Sequence, residues 1–197
     1  MIKFKNISNE APYKVFKDNY DKAQKNKQKN INAICISSYS TTNEVNARFV
    51  NLKFILDNKF IFFSNYNSPK AQDFSNHNQI TALIYWQNIN LQIRMKATIK
   101  KTSNEFNNKY FSKRSKDKNA LAISSHQSKT ISSYQEVIKK YQQAKTNKDL
   151  SLCPDYWGGF SFNPYYFEFW EGHQSRINKR EVFEKIDGVW KQSILQP

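Results

Sequence analysis

The sequence predicts a mainly β protein with peripheral helices, arranged as an antiparallel barrel rather than as a helix-wrapped parallel sheet. Three observations predict it. Leu91, Ile93, Met95, Ala97 and Ile99 alternate strictly with Gln92, Arg94, Lys96 and Thr98, the period-2 pattern of a half-buried strand. Residues 181–195 read as a hairpin, with Glu181 to Ile186 and Val189 to Ile194 flanking Asp187-Gly188, a pair suited to a tight turn with positive φ. The strand-like runs also come in neighbouring pairs instead of alternating with helices, giving six to eight strands with helices inserted between them.

In chain order, residues 1–30 are rich in Lys, Asn and Gln and are expected to form an N-terminal arm, weakly ordered or helical. Residues 31–197 are expected to form one domain. Ile31 to Ser38 and Ala47 to Ile55 are β-branched and aromatic, and Lys59 to Phe63 is a further apolar run of strand length. Ser68-Pro69 starts a short helix, Ser as N-cap and Pro in the first turn. Lys70, just inside that start, is oddly placed against the helix dipole unless an anion sits beside it. Ile80 to Trp86 reads as a buried strand. Ser103 caps a helix that stacks Phe106 on Tyr110, and Ser133 with Glu136 makes a capping box. Phe160 to Trp170 returns to strand.

A chain of 197 residues with 39% hydrophobic and 15% aromatic content can bury a substantial core. No apolar run approaches the roughly 18 residues that cross a bilayer, and no apolar stretch marks a secretory leader. Cys35 and Cys153 form neither a metal spacing nor a disulfide framework, so a reducing cytoplasm is the expected setting. The net charge of +15 admits nucleic acid, an anionic surface or a phosphorylated ligand. It comes mostly from scattered lysines, densest between Lys14 and Lys29, which favours a solvated surface over a nucleic-acid patch.

No glycine precedes residue 158, so neither a dinucleotide fingerprint nor a Walker loop is present. His77, His126 and His173 lack metal spacing. A phosphorylated ligand must therefore be held by side chains. Arginine, the residue whose planar fork matches phosphate oxygens in pairs, occurs only at 48, 94, 114, 176 and 180. Two of the five stand in the run from Trp157-Gly158-Gly159-Phe160 through Glu168-Phe169-Trp170 to Arg180, which also holds three of the four glycines.

Those residues carry a resemblance. From about residue 45 to Pro197 the chain resembles pyridoxamine 5′-phosphate oxidase, the FMN enzyme that completes pyridoxal phosphate synthesis. The ordered matches are Arg48-Phe-Val-Asn-Leu-Lys53, Phe63-Ser64, Ser68-Pro69-Lys70-Ala71, Gln92-Ile-Arg94, Tyr110-Phe111-x-x-Arg114, Gln127-Ser128, Trp157-Gly-Gly-Phe160, Glu168-Phe169-Trp170 and Arg176-x-x-x-Arg180. The resemblance implies an FMN-binding split barrel and a homodimer with FMN between the subunits, and the composition favours no membrane partner and disfavours nucleic acid. The resemblance implies that Arg48 and Lys70 hold the FMN phosphate with Ser64 and Ser128 beside them. Lys53, Phe63, Gln92, Gln127, Trp170 and Arg180 would line the rest of the flavin site. It further implies that Lys53, Tyr110, Arg114 and Lys118 take the phosphate of a small pyridine substrate, and that Arg176 and position 178 act at the substrate ring. The implied reaction oxidises pyridoxamine or pyridoxine 5′-phosphate to pyridoxal 5′-phosphate with dioxygen as electron acceptor.

The chain departs from the family at four positions. Asn178-Lys179 stands where the family reads His-Asp, Pro69 replaces an Arg, and Lys118 replaces a Ser. A flavoenzyme acting on another substrate and a non-catalytic binder of pyridoxal phosphate or nucleic acid are the alternatives. Read without the resemblance, Arg94 suits a structural salt bridge as well as a ligand, Tyr110 suits core packing, and Trp157 and Trp170 suit a core or an interface. Arg48 and Lys53 differ by an odd number and in a regular strand would face opposite ways.

Overall fold

The computed structural model describes all 197 residues. Ten strands form a single curled sheet in the order β1-β4-β5-β8-β7-β6-β2-β3, with β9 and β10 extending it from β8. The strands are β1 (Lys3–Lys5), β2 (Ala33–Tyr39), β3 (Val45–Asn51), β4 (Phe54–Leu56), β5 (Lys59–Asn65), β6 (Gln79–Trp86), β7 (Leu91–Lys101), β8 (Trp157–Glu171), β9 (Lys179–Ile186) and β10 (Val189–Leu195). All pairings are antiparallel except β1 with β4. Five helices lie around the sheet: α1 (Ala11–Lys25), α2 (Pro69–Asn76), α3 (Asn104–Phe111), α4 (Lys116–Ser124) and α5 (Tyr134–Asn147). None is long and apolar enough to cross a membrane. The curled, mostly β sheet with helices at its edges is the split-barrel architecture expected, with ten strands instead of six to eight.

The organising element is β8. Its fifteen residues pair with β7 along almost their whole length. On its other side, Trp157 to Phe162 pair with β5 and Tyr166 to Glu171 with β9. One strand therefore joins two sheet segments, and residues near its two ends belong to different surroundings. The inward residues Phe160, Phe162, Phe167 and Phe169 are buried among Phe60, Phe62, Ile93 and Met95. The β9–β10 hairpin turns where the sequence predicts it, with Asp187 at φ 50° and Gly188 at φ 82°, both positive as a twist-matched two-residue turn requires.

Of the two expectations for residues 1–30, a weakly ordered arm or a helix, the structure shows the helix, docked into the core. These residues contain β1 and the four-turn helix α1, whose Tyr13, Phe16, Tyr20 and Ala23 are buried in the main core. Phe16 packs edge-on against Phe60 at 5.1 Å and against Trp86 at 5.6 Å. The spacing of three, four and three residues puts these side chains on one helical stripe. The lysines that dominate the composition occupy the remaining surface.

The odd spacing of Arg48 and Lys53 is resolved by a break between β3 and β4. The Leu52 N–H bonds to Asn32 beside β2 at 2.9 Å, whereas the Lys53 N–H bonds to Ile61 of β5 at 2.8 Å. The chain thus changes neighbours between consecutive residues, and the face alternation does not run across the break.

Candidate active site

The predicted site residues fall into three groups. The first surrounds Lys70. The N-terminus of α2 brings its ammonium into a buried position where the hydroxyls of Ser64 and Ser68 meet it at 3.2 and 3.3 Å. Arg48, on β3, donates to Ser38 Oγ at 2.6 Å and pairs with Asp73 Oδ2 at 3.4 Å. Ser38 in turn donates to the same Asp73 oxygen at 2.6 Å. Burial and the nearby Arg48 charge push the Lys70 ammonium down to about 8, against the opposing pull of Asp73. Two cations held side by side, one of them buried and without an ion-pair partner, form a local excess of positive charge that an anion would relieve. Ser68 caps α2 by position only: its hydroxyl donates to Asn65 O at 2.7 Å instead of accepting from the helix.

The second group surrounds Arg114. A cavity of about 250 Å³ is lined by Phe63, Ser64, Arg114, Lys118, Gln127 and Trp157, among others. Ser64 Oγ lies 3.2 Å from Gln127 Oε1, so this cavity adjoins the Lys70 group through Ser64. The Arg114 guanidinium carbon lies over Trp157, 4.3 Å from the ring centre, and its Nη1 is buried with no hydrogen-bond partner. An orphaned guanidinium nitrogen is costly unless a ligand completes it. Burial, together with the charges of Lys118 and Arg114, lowers the pKa of Lys53. Burial likewise lowers that of Arg114 and raises that of the Tyr110 hydroxyl. Tyr110 stacks on Phe63 at 3.9 Å, and Phe106 stacks on the same ring at 6.0 Å.

What fixes α3, which leads into Arg114, is a buried network that the sequence did not reveal. Asn107 Oδ1 accepts from the Gly159 N–H at 2.9 Å and from Thr102 Oγ1 at 2.6 Å, while its Nδ2 donates to the Tyr66 hydroxyl at 3.0 Å. The Gly158-Gly159 pair exists for this approach. A Cβ at Gly158 would lie 2.1 Å from the Tyr66 oxygen, and one at Gly159 would lie 2.5 Å from Thr102 Oγ1. The glycines admit helix and side chains, and do not form a phosphate cradle.

The third group lies at the other end of β8. Gln92, Trp170 and Arg180 are direct cross-strand partners on β7, β8 and β9, forming one row across the sheet. Arg94 faces Glu168 in the neighbouring row and pairs with it, so its salt-bridge reading holds. Arg176 and Asn178 sit in the exposed loop between β8 and β9, with Arg176 at φ 61°. Asn178 Oδ1 accepts the His173 N–H at 3.0 Å, and His173 Nδ1 accepts the Ser175 N–H at 3.1 Å. In this chain the side chain at 178 therefore organises its own loop. Ser128, at φ 68°, lines a different hollow with His126 and Lys129 and is not brought to Ser64.

Trp157 and Trp170 stand thirteen positions apart on one strand. At about 3.3 Å per residue, that separates the second and third groups by roughly 40 Å of extended chain.

Comparison with known proteins agrees with this architecture. Residues 20–148 match the family described as pyridoxamine 5′-phosphate oxidase. Residues 157–197 match the pyridoxine 5′-phosphate oxidase C-terminal dimerisation region. The chain is 32% identical over 190 residues to pyridoxine/pyridoxamine 5′-phosphate oxidase 1 of Hydrogenovibrio crunogenus, covering 94% of this chain and 88% of that protein. It is 32% identical over 169 residues to the corresponding oxidase of Leptospira biflexa, covering 84% and 79%. Among solved structures, PhzG from Burkholderia lata, in complex with tetrahydrophenazine-1-carboxylic acid, superposes with a TM-score of 0.87 at 21% identity, covering 94% and 92%. A pyridoxamine 5′-phosphate oxidase-related, FMN-binding protein from Nostoc punctiforme gives 0.80 at 12% identity, covering 96% and 99%. With matched profiles over most of its length and curated relatives along nearly all of it, the chain belongs to the pyridoxamine 5′-phosphate oxidase family.

Proposed function

We propose that this protein is an FMN-dependent oxidase that converts pyridoxamine or pyridoxine 5′-phosphate to pyridoxal 5′-phosphate, using dioxygen, in vitamin B6 metabolism. The observation that carries the reading is the presence of two cationic clusters joined through Ser64, the second of them at a cavity. One is built on Lys70 and Arg48, the other on Arg114 with Lys53 and Lys118. A phosphorylated cofactor and a phosphorylated substrate in contact require such a pair.

In this reading Lys70, Arg48 and Ser64 hold the FMN phosphate, and the buried, under-satisfied ammonium fits that dianion. Bound FMN supplies the two-electron acceptor for oxidation of the substrate's amine- or alcohol-bearing carbon, with dioxygen as the terminal oxidant. Arg114 presents its unpartnered Nη1 to the substrate phosphate, with Lys53, Lys118 and the Tyr110 hydroxyl beside it. The rings of Phe63, Tyr110 and Trp157 stack on one another, and Phe63 and Trp157 give the cavity an apolar side. Gln92, Trp170 and Arg180 form the second face of the flavin site. Because one strand holds the second and third groups far apart, the two faces that meet at one flavin come from two copies of the chain. The match of residues 157–197 to a dimerisation region supports that homodimer.

The test is direct. Purified protein should be yellow with a flavin spectrum and should form pyridoxal 5′-phosphate from either substrate in air. A yellow protein that forms none from either would refute the substrate assignment, and a colourless one that cannot be loaded with FMN would refute the cofactor.

A second reading, a flavoenzyme of the same fold acting on another ring, is favoured by Asn178 and Lys179, which leave no titrating group at the family's His position. The PhzG structure, with its bound tetrahydrophenazine acid, illustrates such a ring on this fold. If the site has been redirected, Asn178→His with Lys179→Asp should raise pyridoxamine phosphate oxidation severalfold in a steady-state assay. No gain would count against redirection.

A further inference from the structure

Next to the Gln92–Trp170–Arg180 row, β8 buries a carboxylate for which the proposed chemistry has no role. Glu168 is 3% exposed. Its Oε1 accepts from Arg180 Nε at 2.8 Å, and Arg180 Nη2 forms an ion pair with the same oxygen at 2.8 Å. Its Oε2 accepts from Arg94 Nε at 3.0 Å, from Arg94 Nη2, and from the Tyr166 hydroxyl at 3.1 Å. Burial alone would raise the Glu168 pKa, but the donors from Arg94 and Arg180 hold it below the usual carboxylate range, so it is ionised at neutral pH.

Three features follow from this geometry. Both carboxylate oxygens are occupied by protein donors, so Glu168 acts on a ligand only through its arginines. The Nε–Nη2 edge of Arg180 is clamped and its Nη1 donates to Gln196 O at 3.0 Å, which fixes the guanidinium plane beside Trp170. Two arginines that would otherwise repel share one anion, so the trio carries a single net positive charge.

We propose that Glu168 is the positioning residue of the flavin face: it orients the Arg180 guanidinium toward bound FMN, with Arg94 as the second cation that locks the carboxylate in place. The inference rests on the reading of Arg180 as a flavin contact.

A double-mutant cycle on FMN affinity tests it. The FMN dissociation constant is read by flavin fluorescence for wild type, Glu168→Gln, Arg180→Ala and the double variant. Coupling through a shared contact predicts that Glu168→Gln weakens FMN about tenfold when Arg180 is present and less than about twofold when it is Ala. An equal penalty in both backgrounds would mean that Glu168 serves only the fold, and would overturn the proposal. An Arg180→Ala variant with unchanged FMN affinity would instead remove the flavin reading on which the proposal stands. If Glu168→Gln does not fold, Glu168→Asp keeps the charge, withdraws the carboxylate by one methylene, and gives the same comparison.

Discussion

At the scale of single residues, burial sets Lys70 apart from the surface lysines of the chain, and the proposed function makes it an anion receptor. In solution a lysine ammonium is well hydrated. Here two hydroxyls replace water, and the Arg48 charge works against protonation. Because its pKa is lowered to about 8, the ammonium loses its proton as pH rises through that value, and the attraction for a phosphate is lost with it. FMN affinity should therefore fall above about pH 8, and Lys70→Met should flatten that pH dependence while weakening FMN about 10- to 100-fold, as loss of a charge-assisted bond does. Titration of flavin fluorescence against pH checks both. In the proposed function Arg114 makes the complementary case on the substrate side. Arg114→Met should raise KM for the phosphorylated substrate about 10- to 100-fold with FMN content unchanged, since the lost contact is to a group remote from the reacting carbon. The unusual setting of Lys70 was legible in the sequence because a cation at a helix start runs against the helix dipole. Asp73 and Ser38, which set the orientation of Arg48, were not, because they meet it from other elements.

At the scale of elements, the least legible was α1. Its composition reads as solvated, yet four of its residues close one side of the core. Phe16 is fully buried against Phe60 and Trp86, so Phe16→Ala should destabilise the protein by about 3–5 kcal/mol through lost transfer energy and an unfilled cavity. A mobile arm would show almost no change. Denaturant unfolding followed by tryptophan fluorescence separates the two. The helices with caps were clearer. Ser103 and Ser133 both accept from the third residue onward, Phe106 and Glu136. The second half of the box at Ser133 is not made, since the Glu136 carboxylate bonds to the Ser132 hydroxyl instead. The α3 position was not readable. It depends on Asn107 reaching Gly159 and Tyr66, contacts between residues more than forty positions apart.

At the scale of the whole molecule, the length of β8 has the largest consequence. A fifteen-residue strand carries Trp157 beside the Arg114 cavity at one end and Trp170 beside Arg180 at the other. In the proposed function one copy presents two half-sites, and two copies in a closed two-fold arrangement complete two whole ones. This predicts complementation. Lys70→Met and Arg180→Ala homodimers should each be nearly inactive. After mixing and subunit exchange, hybrids would carry one intact site in two, restoring up to about a quarter of wild-type activity. If both residues served the same flavin from a single copy, mixing would restore nothing. The oxidase assay before and after exchange decides between them.

The sequence by itself determined the mainly β architecture, the hairpin at Asp187-Gly188, the capped helices and the family, because these rest on period, turn chemistry and ordered local motifs. It also contained, as residue types, the cations that the proposed function assigns to phosphate. Only the tertiary structure decided which cations stand together. The break at Leu52-Lys53, the register that aligns Gln92 with Trp170 and Arg180, the burial of Glu168 between two arginines and the docking of α1 all depend on pairings between distant segments. Such pairings are set by the summed packing of the core, and no local pattern in the chain records them.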